Sequence, residues 1–363
     1  MNDTTTRRRV LIMAGGTGGH VIPALSLARA LRARGVEVAW LGSPRGIENR
    51  LVPEAGIVLH RIRVAGLRGN GLAGWLLAPI NLTRAVWQAW RVIHEFDPQL
   101  VVGLGGFASG PGGLAAWFSR RPLVIHEQNA VAGLTNRALA RLARGVYAAF
   151  PQAFPGRAEV VGNPVRAEIA ALGETPRDGA GMAGRPLRLL VVGGSLGAQA
   201  LNRGLPEALA RLPAERRPEV RHQAGRDKEA ATRDAYAEHG VAAEVSPFID
   251  DMAEAYAWAD LVVSRAGALT VAELAAAAKP ALFVPFPHAV DDHQTANARA
   301  LVEEGAAELL PQSRLSAATL AERLAALLDP DTLATMASRA RACAHLDAVE
   351  RLVAGCMETG FER

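Results

Sequence analysis

Cysteine is almost absent from this 363-residue chain: Cys343 and Cys356 are the only two, and neither stands in a CxxC. That excludes a disulfide scaffold and argues against a structural zinc site, and the usage fits a reducing compartment. Lysine is nearly as scarce, with Lys228 and Lys279 alone, so the positive charge is almost all arginine. Aromatic residues reach only 5%. No uninterrupted apolar stretch approaches the roughly 18 residues that cross a bilayer, so any membrane contact is expected to be peripheral. Arg7-Arg8-Arg9 and Val10-Leu11-Ile12-Met13 resemble the start of a secretory signal, but the run stops at Gly15-Gly16 and reads as a buried strand. No targeting segment is expected.

What the chain has is apolar bulk and glycine: 50% hydrophobic residues and 36 glycines. At this length that composition predicts two cores and excludes a disordered or fibrous chain. The net charge of +4 hides an asymmetry, since residues 1–165 hold 19 Lys+Arg against 8 Asp+Glu and the remainder 21 against 28. A basic first half suits an anionic partner such as a membrane surface or a pyrophosphate.

Three times a β-branched run enters glycines and then a helical pattern. Val10 to Met13 precede Gly15-Gly16-Thr17-Gly18-Gly19-His20, Leu100 to Val102 precede Gly103-Leu104-Gly105-Gly106-Phe107, and Leu189 to Val192 precede Gly193-Gly194-Ser195-Leu196-Gly197-Ala198. Further short runs, Val36 to Leu41, Leu123 to His126, Val146 to Ala149, Leu261 to Ser264 and Ala281 to Pro285, read as parallel strands buried on both faces. Helical stretches such as Leu134 to Ala143 and Val271 to Ala278 alternate with them. The pattern predicts an α/β chain with two doubly wound, Rossmann-like sheets, opened by the first and third glycine loops. Turn chemistry at Val161 to Arg166 places a hinge near Pro164. It separates a domain over 1–163 from one over 164–344, with a last helix in about 345–363 free to return to the first.

Glycine amides can approach a phosphate because no Cβ blocks them, and the following helix adds its positive end. Three such loops at strand C-termini therefore favour diphosphate recognition. A dehydrogenase is disfavoured, because the first loop lacks a clear GxGxxG register and the next strand ends at Trp40-Leu41-Gly42 without an acid. No Gly-Lys-Ser/Thr follows any loop, which excludes a P-loop.

Gly15 to His20, Gly103 to Pro111, His126-Glu127-Gln128-Asn129, Ala132 to Asn136, Val161 to Arg166, Gly193 to Ala198, Arg265 to Glu273 and Asp292 to Asn297 follow one another in unbroken order. This array resembles the MurG family of glycosyltransferase family 28, which moves GlcNAc from UDP-GlcNAc to lipid I, undecaprenyl-pyrophosphoryl-MurNAc-pentapeptide. The resemblance implies the glycosyltransferase B fold, two domains facing across a cleft, with acceptor on the first and donor mainly on the second. It implies that Ser195 and its loop hold the diphosphate, with Arg166 adding charge near the donor. Ile249 would meet uracil, Ala268, Leu269, Thr270, Val271, Ala272 and Glu273 would lie under the nucleotide with Glu273 at the ribose, and Gln294 would bind GlcNAc. Thr17, Gly18, Gly19 and Asn129 would complete the donor site. Gly105, Gly106 and Asn136 would shape the acceptor side, where Phe107 replaces the tyrosine of some relatives and supplies no phenolic hydrogen bond.

Glycosyl transfer needs electrostatic stabilisation of the departing diphosphate and a base for the acceptor hydroxyl. His20 and Glu127 are the candidate bases; His20 alternatively caps its loop and Glu127 alternatively orients His126 or Asn129. Metal-dependent glycosyltransferases commonly hold the cation with an Asp-x-Asp, which the chain is read as lacking; Asp250-Asp251 and Asp291-Asp292 read as helix caps, so neither metal nor cofactor is expected. His60, His94, His222 and His239 read as surface or boundary residues. Leu67 to Trp90 gathers three of six tryptophans with Leu72, Trp75, Leu76, Leu77, Ile80, Arg68 and Arg84, a composition suited to an anionic bilayer surface. The alternative is a helix whose apolar stripe packs on its own sheet. No nucleic-acid partner is expected, and the resemblance implies a peripheral enzyme on the cytoplasmic face of the bacterial inner membrane. A transferase acting on another lipid, a UDP-GlcNAc 2-epimerase, or a non-catalytic nucleotide-sugar-binding module would share much of this pattern.

Overall fold

Val10, Leu11, Ile12 and Met13 are all fully buried because their strand lies mid-sheet with a core on each face. Val10 and Ile12 enter one cluster with Leu27, Leu31 and Trp40, while Leu11 and Met13 enter another with Ile93, Ala115 and Ile125. Period-2 alternation with both faces covered is why the strand has no polar side.

The computed structural model describes residues 8–64, 71–174, 179–182, 184–194, 197–287 and 292–362, with side chains left out for 71–76 and 179–180. The chain divides into two units, Met1–Arg166 with Leu346–Arg363, and Ala167–His345.

The first unit holds β1 (Arg9–Met13), α1 (Gly18–Ala33), β2 (Glu37–Gly42), α2 (Glu48–Glu54), β3 (Val58–Arg61), α3 (Gly71–Phe96), β4 (Leu100–Gly103), α4 (Ser109–Phe118), β5 (Leu123–Glu127), α5 (Leu134–Leu139), β6 (Gly145–Ala148) and β7 (Glu159–Val160). Its sheet runs β3-β2-β1-β4-β5-β6-β7, parallel throughout. The helix expected over Leu134 to Ala143 ends at Leu139, because Arg144 N–H already bonds Leu123 O to start β6. The C-terminal helix, Ala348–Phe361, brings Leu352, Val353 and Cys356 into the same core as α1. Gly355 permits this seating, since a Cβ there would strike Tyr147 Oη.

The second unit holds α6 (Ala167–Ala170), β8 (Arg188–Val192), α7 (Gln199–Ala210), β9 (Glu219–Gln223), α8 (Glu229–Glu238), β10 (Glu244–Ser246), α9 (Met252–Trp258), β11 (Leu261–Ser264), α10 (Ala268–Ala276), β12 (Ala281–Phe283), α11 (His293–Val302), β13 (Ala307–Leu309), α12 (Ala317–Leu327) and α13 (Pro330–Ala342). Its parallel sheet runs β10-β9-β8-β11-β12-β13. Asp260, just before β11, anchors the sheet's other end. Its carboxylate takes Arg185 Nη1 and Nη2 at 2.7 and 2.9 Å and Arg188 N at 2.9 Å.

Candidate active site

Both strand orders reverse direction once, at β1/β4 and at β8/β11, and each reversal opens a crevice at the strands' carboxyl ends. In the first unit the crevice is flanked by the Gly15–Gly19 and Gly103–Phe107 loops, which touch. A Cβ on Gly106, whose φ is +84°, would strike Gly15 O and stand 2.8 Å from Gly15 N. Leu104 N donates to Met13 O at 2.9 Å, and Ser109 Oγ lies 2.7 Å from Gly105 O.

Beneath the first loop lies a residue that sequence reasoning passed over. Glu48 is fully buried at the start of α2; Oε2 accepts from Gly16 N at 2.9 Å and Oε1 from Ser43 N at 3.2 Å. Gly15, Gly42 and Gly46 surround this carboxylate, and a Cβ on Gly15 would come within 2.7 Å of Oε1. Part of the glycine content thus makes room for a buried acid, with no direct bearing on phosphate.

The two candidate bases differ sharply. His20 is half-buried near the start of α1, with Nδ1 3.0 Å from Gln128 Oε1 and its ring against Gly105. Gln128 Nε2 lies 3.1 Å from His126 Nδ1, and His126 Nε2 lies 2.9 Å from Gly162 O. Burial pushes His126 down to about 4, against smaller upward effects from Gly162 O and Glu127. Glu127 is buried and all its oxygens are engaged. Oε1 accepts from Asn129 N at 3.0 Å and Asn129 Nδ2 at 3.1 Å, and Oε2 from Gly133 N at 3.2 Å and Asn136 Nδ2 at 2.8 Å. Four donors on one buried carboxylate tie the 129–136 loop to β5.

In the second unit, Gly193 N bonds Gln223 O at 3.1 Å and Gly197 N bonds Gly194 O at 2.8 Å, which shapes the turn before α7. Ser195 lies outside the described residues. Across the strand reversal, α10 begins at Ala268 with Gly267 as N-cap, no acid in its first turn and no capping side chain. The start of α10 therefore brings no carboxylate of its own to oppose an anion. Ala268, Leu269 and Val271 are buried, whereas Thr270 and Ala272 are half-exposed. Glu273 is buried, with Tyr256 Oη 3.4 Å from its Oε2. Arg265 Nη1 donates to Val284 O at 2.8 Å and Pro285 O at 3.0 Å, tying the ends of β11 and β12 together. Gln294 Oε1 accepts from Phe286 N at 2.9 Å, and Ile249 is half-buried after β10. Arg166 is half-buried at the last residue of the first unit's main span.

Two readings are corrected. His222, expected near the surface, is a core residue: Nδ1 lies 2.9 Å from Tyr236 Oη, Nε2 lies 3.1 Å from Asn202 Oδ1, and burial pushes it down to about 3. Its position two residues after buried Val220 on β9 was the available signal. The chain also contains an Asp-x-Asp, Asp329-Pro330-Asp331, but Asp329 caps α13 by accepting from Thr332 N at 2.9 Å. Asp251 caps α9 in the same way, from Glu254 N.

Residues 10–148 match the model of the glycosyltransferase family 28 N-terminal domain and 188–352 that of its C-terminal domain. A Chromohalobacter salexigens protein named UDP-N-acetylglucosamine--N-acetylmuramyl-(pentapeptide) pyrophosphoryl-undecaprenol N-acetylglucosamine transferase is 78% identical over 351 residues, 96% of each chain. The chain belongs to the MurG family. The crystal structure of Acinetobacter baumannii MurG, 42% identical, superposes with a TM-score of 0.82 over 97% of this chain and 99% of that one. A UDP-N-acetylglucosamine 2-epimerase structure reaches a TM-score of 0.65 over 96% and 95% at 16% identity, a likeness of fold alone. With MurG as template, the architecture is the glycosyltransferase B fold.

In this MurG-family chain, α3 presents two faces. Ala85, Ala89 and Ile93 recur every four residues and are buried in the core. Leu77 (52%), Ile80 (65%) and Trp87 (54%) are exposed on the other, with the Arg91 guanidinium 5.3 Å above the Trp87 ring. The side chains of Leu72, Trp75 and Leu76, and all of 67–70, lie outside the described residues. Among the described residues no helix is long and apolar enough to cross a membrane.

Proposed function

We propose that this chain transfers GlcNAc from UDP-GlcNAc to the 4-hydroxyl of the MurNAc sugar of lipid I, with inversion, giving lipid II and UDP for peptidoglycan synthesis. The observation that carries the reading is 78% identity, over 96% of both chains, to a transferase named for that acceptor.

The roles follow from placement within each unit. His20 is the base that takes the acceptor hydroxyl's proton, since it alone of the two candidates keeps a ring nitrogen outside the hydrogen bonds described. Glu127, with four donors on its carboxylate, acts as a positioning residue for Asn129 and Asn136. Gly105 and Gly106 shape the acceptor crevice and Asn136 supports it. Thr17, Gly18 and Gly19 offer first-turn amides of α1 to the donor, joined by Asn129. In the second unit the loop carrying Ser195 and the start of α10, from Ala268 to Glu273, bind the nucleotide, with Ile249 at uracil, Gln294 at the sugar and Arg166 adding a cation. Backbone amides and guanidinium offset the charge that builds on UDP as the glycosidic bond breaks.

The exposed apolar face of α3, with Arg84 and Arg91 on the same helix, supports docking on an anionic bilayer as a peripheral protein of the cytoplasmic membrane face. Incubation with UDP-GlcNAc and a lipid I analogue tests the function. The expected result is stoichiometric UDP release with a β-1,4-linked disaccharide product. Epimerised or merely hydrolysed UDP-GlcNAc, with no disaccharide, would overturn it.

A further inference from the structure

The chain of contacts from His20 through Gln128 and His126 to Gly162 O has a direction. A backbone carbonyl only accepts, so the His126 Nε2 at 2.9 Å from Gly162 O carries a hydrogen. His126 is fully buried and burial disfavours its doubly protonated form, so its Nδ1 is a lone-pair acceptor. The amide group facing Nδ1 at 3.1 Å is therefore the NH2 of Gln128, which also lies 3.3 Å from a second acceptor, His126 O. With nitrogen committed there, Gln128 presents Oε1 to His20 at 3.0 Å, and His20 Nδ1 must donate. Gln128 itself is 1% exposed, and Asn163 Nδ2 holds its carbonyl at 3.1 Å. Gly105 leaves the space the imidazole occupies, since a Cβ would stand 2.7 Å from Nδ1 and 2.8 Å from Cε1.

We propose that Gln128 and His126 are positioning residues that hold His20 as its Nδ1–H tautomer, so that the Nε2 lone pair receives the acceptor hydroxyl's proton. The inference rests on the reading of His20 as base. In the step, the hydroxyl O–H bond breaks and its proton goes to Nε2. The oxygen forms the new bond to the anomeric carbon as the bond to UDP breaks, and that electron pair leaves with UDP. His20 becomes an imidazolium whose Nδ1–H bond to Gln128 Oε1 is then charge-assisted, so the amide stabilises the proton-bearing state more than the resting one. The opposite tautomer would put a hydrogen where the lone pair is needed.

Nitrogen-15 NMR on histidine-labelled full-length protein tests this without mutation: His20 should show a protonated Nδ1 and a bare Nε2, and an Nε2–H signature in the parent protein would overturn the proposal. Gln128→Leu should lower kcat by about 10²-fold, the lower end of what a positioned base supplies, with KM for UDP-GlcNAc unchanged and the His20 signals moving toward Nε2–H. Gln128→Glu keeps an acceptor opposite His20 while losing the donor to His126. It should recover part of the turnover and retain the Nδ1–H signature, and the loss of that signature in Gln128→Leu with its retention in Gln128→Glu is what a purely structural role for Gln128 would not produce. Parental turnover in Gln128→Leu would overturn the relay and leave His20 as base; parental turnover in His20→Ala would remove the base itself. If Gln128→Leu fails to fold, the parent spectrum and Gln128→Glu decide.

Discussion

Replacing Glu48 by glutamine isolates what a buried carboxylate does for the first glycine loop. The side chain keeps its volume but exchanges one acceptor oxygen for an NH2. In the parent, Oε2 serves Gly16 N at 2.9 Å, while Oε1 serves Ser43 N at 3.2 Å and lies 2.8 Å from Ser43 Oγ. Whichever way the amide turns, its hydrogens face one of these backbone N–H groups. Ser43 Oγ has one hydrogen and also lies 2.5 Å from Arg45 O, so it does not fix the amide's orientation, and either Gly16 N or Ser43 N loses its acceptor. An N–H left without its acceptor costs about 1–3 kcal/mol. For a unit of this size each kcal/mol lowers the midpoint by about 2–4 °C, so Glu48→Gln should shift thermal unfolding of the first unit down by about 2–12 °C. Turnover should fall as well, because Gly16 leads into the start of α1 that carries His20. The measurements are a calorimetric scan and steady-state kinetics on the same preparation. A midpoint and kcat both equal to the parent's would refute the clamp.

Acid should destabilise both units. His126 and His222 are held neutral by burial, at about 4 and about 3 instead of 6.5, so the unfolded chain takes up protons that the folded one refuses. The stability this represents is complete above 6.5 and drains as pH falls through the window from 6.5 to about 4 for His126, amounting to about 3 kcal/mol. Melting temperatures flat between pH 7 and 5 would contradict it. Gly106→Ala forces a methyl onto Gly15 at a φ of +84° and should reduce turnover more than tenfold, with the second unit's melting unaltered. Leu77→Ser with Ile80→Ser should lower binding to anionic vesicles, read by co-sedimentation, and spare transfer to a water-soluble acceptor analogue. Equal vesicle binding would move the membrane contact off α3.

Strands β1, β2, β4, β5, β6, β8, β11 and β12 were legible because parallel strands covered on both faces leave a simple trace, continuous apolar runs such as Leu100 to Val102 and Leu261 to Val263, whereas β3, β7, β9, β10 and β13, toward the sheet edges and carrying polar residues, were not read. The glycine loops were legible for the same local reason, each following its strand directly. Glu48 was not: its partners Gly16 and Ser43 come from two other loops, and nothing near it in the chain marks it as buried. Glu127 stood out as a carboxylate at a strand's end, yet its four donors come from residues 129 to 136 and meet it only once that loop folds back on β5.

The sequence by itself determined that the chain is α/β with two sheets, where each glycine loop opens, and which family's array of motifs it carries, because these depend on spacing along the backbone. Only tertiary structure decided that the C-terminal helix joins the first core, that the first and second glycine loops meet backbone to backbone, and that His20 connects through Gln128 and His126 to Gly162 O. Each of those rests on groups far apart in the chain. Their hydrogen-bond polarity and close approach exist only once the sheet has brought the strand ends to one edge.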